Sequence, residues 1–95
     1  MRVRWINSAL RAVRTIHSRV AADNPQAAAG VVRRIQGSVS HLSAFPESGR
    51  PGRVAGTREV VVPKLPYLIV YRINGDDVEI LRVFHTSMDW PPLME

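Results

Sequence analysis

Few side chains in this sequence could move a proton or attack a bond. The histidines are His17, His41 and His85, and only His85 has a hydroxyl and a carboxylate close behind it, in Ser87 and Asp89. His85-Ser87-Asp89 has the residue types of a base, nucleophile and acid set. On an extended strand, however, residues two apart point the same way but lie about 6–7 Å apart, too far for a direct proton relay. The spacing favours a turn or helix start, with Thr86 or Ser87 as its cap, over a hydrolase. His85 could act alone as an acid or base, because imidazoles titrate near neutral pH. His17 borders an apolar helical stripe and reads as a boundary residue. No pair of histidines has metal-ligand spacing with a carboxylate, and neither a metal nor any other cofactor is expected.

The second chemical resource is arginine. The formal charge is +5, and every basic residue except Lys64 is Arg. Arg pairs in a planar, bidentate way with carboxylates and phosphates, so an acidic protein or a nucleic acid is a plausible partner. An Arg-rich surface without a partner is the competing reading. Gly49-Arg50-Pro51-Gly52-Arg53 has the look of a phosphate loop, but it lacks the Gly-Lys-Ser/Thr ending and does not lead from a strand into a helix. Segment 47–56 reads instead as an exposed turn decorated with Arg.

These residues must be positioned by the elements around them. Runs 57–62, 67–73 and 78–85 are dense in β-branched and aromatic residues and predict three strands. Asn74-Gly75-Asp76-Asp77 is a strong hairpin signal, since Asn and Gly tolerate positive φ. Pro63 and Pro66 bracket a tight connection before it. With a loop of two or four residues, odd positions of 67–73 pair with even positions of 78–84. One face then carries Tyr67, Ile69, Tyr71 and Ile73 with Val78, Ile80, Arg82 and Phe84. The other carries Leu68, Val70 and Arg72 with Glu79, Leu81, Val83 and His85. Both faces are largely apolar, so one should pack on helices and the other is a candidate partner surface.

Upstream, Arg2-Val3-Arg4-Trp5-Ile6 alternates as a half-buried strand does. Asn7 or Ser8 can cap a first helix whose Ala9, Val13, Ile16 and Val20, with Leu10 alongside, form one apolar stripe. Asn24-Pro25 ends it and starts a second helix, which runs to about Ser43 with Ala28, Val31, Val32, Ile35, Val39 and Leu42 at helical spacing. The two make an αα-hairpin. At 95 residues the chain is a single domain, 1–95. It has no cysteine, which rules out a disulfide framework and suits a cytoplasmic protein. Its apolar runs are far shorter than the roughly 20 residues of a membrane span. Met1-Arg2-Val3-Arg4-Trp5 has no apolar core of a secretory signal.

The order of these elements, with Asn24-Pro25, Phe45-Pro46, Gly49-Arg50-Pro51-Gly52-Arg53, Gly56-Thr57-Arg58-Glu59, the stretch 66–73 and the stretch 80–89, resembles the RelE/ParE superfamily of toxins of type II toxin–antitoxin modules. The resemblance covers nearly the whole chain. It implies an α+β fold: an N-terminal strand, an αα-hairpin, then a three-stranded antiparallel meander. RelE-like members cut mRNA on the ribosome, using Lys and Arg to orient and stabilise the scissile phosphate. The matching positions here are Glu59, Val61, Leu68 and Met88; none is basic, and Glu59 would repel phosphate. Arg58, Arg72 and Arg82 remain, with Arg72 and Arg82 on opposite faces by the pairing parity. His85-Thr86-Ser87-Met88-Asp89 is similar to the His-x-Ser-Met-Asp ending of ParE-like members, which poison DNA gyrase and are not known as catalysts. The resemblance therefore implies a ParE-like gyrase inhibitor, neutralised by a cognate antitoxin that is ParD-like or similar. The alternative is a ribosome-dependent mRNA endoribonuclease in which His85 is catalytic. Arg58, Arg72, Arg82, Met88, Asp89 and Trp90 are the expected contacts with target or antitoxin. Arg11, Arg14, Arg33 and Arg34 are expected rim residues for an acidic, amphipathic antitoxin segment.

Overall fold

Asn24-Pro25 divides the N-terminal half of the chain into two helices by two local devices. The Asn24 side chain accepts from the amide of Ala27 at 3.1 Å, and Pro25 occupies the first helical turn, where no intrahelical N–H is needed. In the computed structural model, which describes residues 1–88, helix α1 is Asn7–Asp23 and helix α2 is Pro25–Ala44. The start of α1 differs from expectation. Neither Asn7 nor Ser8 is the cap; Ile6 holds that position, in extended conformation and without a side-chain hydrogen bond. The reason is tertiary: the Ile6 amide donates to the Ile80 carbonyl at 3.0 Å, while its own carbonyl accepts from Ala9 and Leu10. Sheet pairing thus runs directly into the first helical turn.

The sheet has five strands: β1 (Arg2–Trp5), β2 (Arg50–Pro51), β3 (Arg58–Val61), β4 (Tyr67–Asn74) and β5 (Asp77–His85), in the spatial order β1-β5-β4-β3-β2. β1 lies parallel to β5, and every other pairing is antiparallel. The expected meander is β3-β4-β5, and the expected αα-hairpin covers one side of it. Ala9 and Ile16 of α1 and Ile35, Val39 and Leu42 of α2 are buried against Val62, Ile69, Tyr71, Val78, Ile80 and Val83. Each fully buried Ile or Leu contributes about 1.5–3 kcal/mol through lost apolar surface, so this single layer carries most of the stability.

Two expectations are corrected. Segment 47–56 is not wholly an exposed loop: Arg50 and Pro51 pair with Glu59 and Arg58, and Gly49 is buried. The larger correction concerns the faces of the hairpin. Asn74↔Asp77, Ile73↔Val78, Arg72↔Glu79 and Tyr71↔Ile80 follow the expected parity, but the next pair is Val70↔Arg82. Leu81 is an extra residue without a partner, a β-bulge, and a shift of one residue exchanges the two faces beyond it. Val83 therefore joins the core beneath the helices, and Arg82 and Phe84 turn to the other face with Leu68, Val70 and Arg72. Arg72 and Arg82 share a face after all.

Candidate functional site

The face of the sheet turned away from the helices is built from alternate residues of all five strands. Reading along the pairings, one row crosses Arg50, Glu59, Val70 and Arg82, and the next crosses Arg72, Glu79 and Arg4. Arg2 stands opposite Asp77 at the edge, with 3.0 Å between Nε and Oδ1. Opposite charges in register on neighbouring strands attract, and here the pattern extends across the sheet.

Its two glutamates are the only buried charged residues among those described, at 1% exposure for Glu59 and 2% for Glu79. Burying a carboxylate is costly unless it is paired and hydrogen-bonded, and both are. Glu79 Oε1 accepts from Arg72 Nε at 2.6 Å, and Oε2 accepts from Arg4 Nη1 at 3.1 Å and Asn74 Nδ2 at 3.3 Å. The hydrogen bond from Arg72 holds the Glu79 carboxyl below its ordinary value, more strongly than burial raises it; Asn74 and the charges of Arg72 and Arg4 add to the effect. Glu59 accepts from Arg50 Nη2 at 3.0 Å and from the Arg53 amide at 3.0 Å, and Arg53 Nε lies 3.6 Å from Oε1. The guanidiniums of this face are half exposed, while the carboxylates they hold are covered.

Arg58 belongs elsewhere. It pairs with Tyr71 on the helix side and donates from Nη1 to the carbonyls of Glu47 (3.3 Å) and Gly49 (2.8 Å). Tyr71 completes the same clasp, donating its hydroxyl to the Pro46 carbonyl at 2.7 Å and accepting from the Gly49 amide at 2.9 Å. Burial pushes the Tyr71 phenol above its ordinary value, with partial opposition from the Gly49 amide and Arg58. A Cβ on Gly49 would sit 2.5 Å from that hydroxyl, which explains the glycine. The glycine-rich run is thus a packed turn, not a phosphate cradle.

His85 ends β5 on the helix side of the sheet, opposite Tyr67, whose ring meets it edge-on at 5.7 Å. The expected turn is present, and it closes the gap between His85 and Ser87 that an extended strand would leave. Met88 donates its amide to the His85 carbonyl at 3.0 Å, and the turn brings Ser87 Oγ to 2.8 Å from His85 Nδ1. The Ser87 amide also donates to Nδ1 at 3.0 Å, so this nitrogen is an acceptor and the singly protonated ring carries its hydrogen on Nε2. No carboxylate or arginine is hydrogen-bonded to this ring among the described residues. The Met88 side chain is exposed. Asp89 and Trp90, also expected contacts, lie outside the described residues, as does the tail beyond them.

Between the second helix and the sheet, Arg34, Gly37, Ser38 and His41 of α2 line a groove of about 510 Å³ with Ser48, Val60, Val61 and Pro63. Arg11, Arg14 and Arg33 are exposed on the helices and do not line it. The sites that sequence reasoning missed are the two glutamate clamps. Arg4, Glu79 and Arg72 alternate correctly for one face, but only the parallel placement of β1 beside β5 brings Arg4 to them.

With this geometry in hand, the chain can be set beside known proteins. The sequence profile described as the ParE toxin of the type II toxin–antitoxin system, parDE, matches residues 3–90. The protein Y4kP of Sinorhizobium fredii (strain NBRC 101917 / NGR234), named as a candidate toxin, is 47% identical over 93 residues, covering 98% of this chain and 96% of that one. The chromosomal ParDE toxin–antitoxin system of P. aeruginosa contains a chain of similar structure, with a TM-score of 0.80 and 27% identity over 90% of this chain and 95% of that one. The RelBE2 toxin–antitoxin complex of Mycobacterium tuberculosis contains another, with a TM-score of 0.59 and 31% identity over 88% of this chain and 95% of that one.

Proposed function

Because the chain belongs to the ParE family of type II toxins, we propose that it arrests growth by inhibiting DNA gyrase, without cutting RNA, until a cognate antitoxin neutralises it. The observation that carries this reading is the state of the arginines. A ribonuclease of this fold needs cations converging on a scissile phosphate beside its acid or base. Here Arg4 and Arg72 are engaged by Glu79, Arg50 and Arg53 by Glu59, and Arg58 by the carbonyls of its own loop. His85 stands on the opposite side of the sheet from Arg72 and Arg82. A surface of this kind suits recognition of a protein better than grip on a breaking backbone.

Purified toxin should trap gyrase–DNA cleavage complexes or block supercoiling, and a clean negative in both assays removes the gyrase target. Expression without antitoxin should halt growth; unaffected growth would mean an inactive relic that only binds. The groove between α2 and β3, with Arg34 on its rim and Val60 and Val61 in its floor, suits an acidic, amphipathic antitoxin segment. Arg82, Met88, Asp89 and Trp90 are the proposed contacts with target or antitoxin, and the cytoplasm is the proposed place of action. No helix among the described residues is long and apolar enough to cross a membrane.

One observation favours the ribonuclease as a second reading: the bulge brings Arg72 and Arg82 to one face. On that reading, toeprinting of translating ribosomes shows A-site cuts that vanish in His85→Ala. Their absence eliminates it.

A further inference from the structure

Arg4, Arg72 and Asn74 each point one N–H donor group at one spot on the open face, and the occupant of that spot is the chain's own Glu79 carboxylate. Two guanidiniums and an amide around two oxygens is the donor geometry with which proteins hold an external phosphate or carboxylate. The occupant is covered at 3% side-chain exposure, while the arginines stay 59% and 50% exposed. We infer that Glu79 is a specificity-determining residue: it fills an anion cradle formed by Arg4, Arg72 and Asn74 and so denies the sheet to polyanions. This deepens the proposed reading of a toxin that acts on a protein.

The placement of the cradle supports the inference. It lies on three adjacent hydrogen-bonded strands, β1, β5 and β4, and not on a loop that could close over a ligand. Glu59 repeats the device in the neighbouring row, against Arg50 and the amide of Arg53. Two buried glutamates on one face, each meeting arginines in register, offset part of its positive charge from within. A phosphate approaching it meets guanidiniums whose inner donors are already taken and a carboxylate that repels it.

The test uses the full chain and a fluorescein-labelled single-stranded RNA, read by anisotropy across a salt series. Glu79→Gln keeps the shape and removes the internal anion. It should tighten RNA binding about tenfold at low salt and steepen the log–log salt dependence by about 1.4, because each of two released arginines adds roughly 0.7 for a single strand. Asp23→Asn, an exposed acid at the end of α1, makes the same charge change away from the sheet and should leave both quantities nearly unchanged. Glu79→Gln combined with Arg72→Gln should lose most of the gain. No gain in Glu79→Gln, or an equal gain in Asp23→Asn, overturns the inference. If Glu79→Gln does not fold, Glu79→Ala is refolded with and without inorganic phosphate. Phosphate should restore folding or raise its melting temperature more than that of the unsubstituted chain, and failure to do so overturns the cradle. Gyrase inhibition is read separately, so a negative there leaves the RNA result interpretable.

Discussion

The two sides of the sheet solve the same packing problem with different materials. On the helix side, Ile69, Tyr71, Val78, Ile80 and Val83 are buried by Ile35, Val39 and Leu42, and the stabilisation comes from apolar area. On the open side no helix of the described residues arrives, and the buried residues next to Leu68 and Val70 are Glu59 and Glu79, shielded by arginine side chains. Arginine stems cover surface while their heads remain in water, so this side is closed without becoming an apolar patch. The difference separates two kinds of support: apolar area on the helix side holds the fold together, and paired charge on the open side sets what surface the sheet presents.

The largest test of that division is a truncation on the helix side. Ile80→Ala should cost about 4 kcal/mol in urea unfolding, because a fully buried Ile leaves a cavity under two helices. A cost below about 1 kcal/mol would mean that the helical layer is not the main support. Next comes the clasp between the helix side and the loop. Gly49→Ala should cost about 2 kcal/mol by overpacking against the Tyr71 hydroxyl, and Tyr71→Phe about 2 kcal/mol by leaving a carbonyl and an amide without partners. The double variant should lose less than the sum, since the hydroxyl clash is then absent; additivity would place the two residues in separate roles.

The third test belongs to the open side and reads acid stability. The Glu79 carboxyl is held below its ordinary value, so its contribution is full above the unfolded carboxylate range and is lost as pH falls through the lower folded value. Melting temperature should therefore drop on acidification in that window, and Glu79→Gln should flatten the drop. An identical acid profile in both proteins would assign the dependence to other carboxylates. The smallest effect is expected at the rim: Arg2→Ala breaks an ion pair whose Arg is 81% exposed and should change stability by less than about 0.5 kcal/mol.

Much of this molecule could be read from its residues. Asn24-Pro25, the apolar stripes and Asn74-Gly75 determine where the helices and the hairpin lie, because capping, periodicity and positive φ are local properties; Gly75 does adopt φ 60°. What the sequence did not disclose depends on contacts distant along the chain. The pairing of β1 with β5 decides both the cap of α1 and the partner of Glu79. The end of β5 and the turn after it are legible at Thr86 and Ser87, but the closure of Ser87 onto His85 Nδ1 is a matter of geometry that residue types do not specify. Glu59 is visible in the sequence as an acid among arginines, but its engagement with Arg50 and Arg53 requires the short strand β2.

Leu81 has a consequence of another kind. Many side chains could stand at that position, since it has no partner across the hairpin, but the position itself cannot be dispensed with. Deleting it would rotate the end of the strand by half a turn, driving Arg82 and Phe84 under the first helix and expelling Val83 into water. The number of residues is fixed at that point of the strand, because a single insertion or loss there would exchange the two faces beyond it.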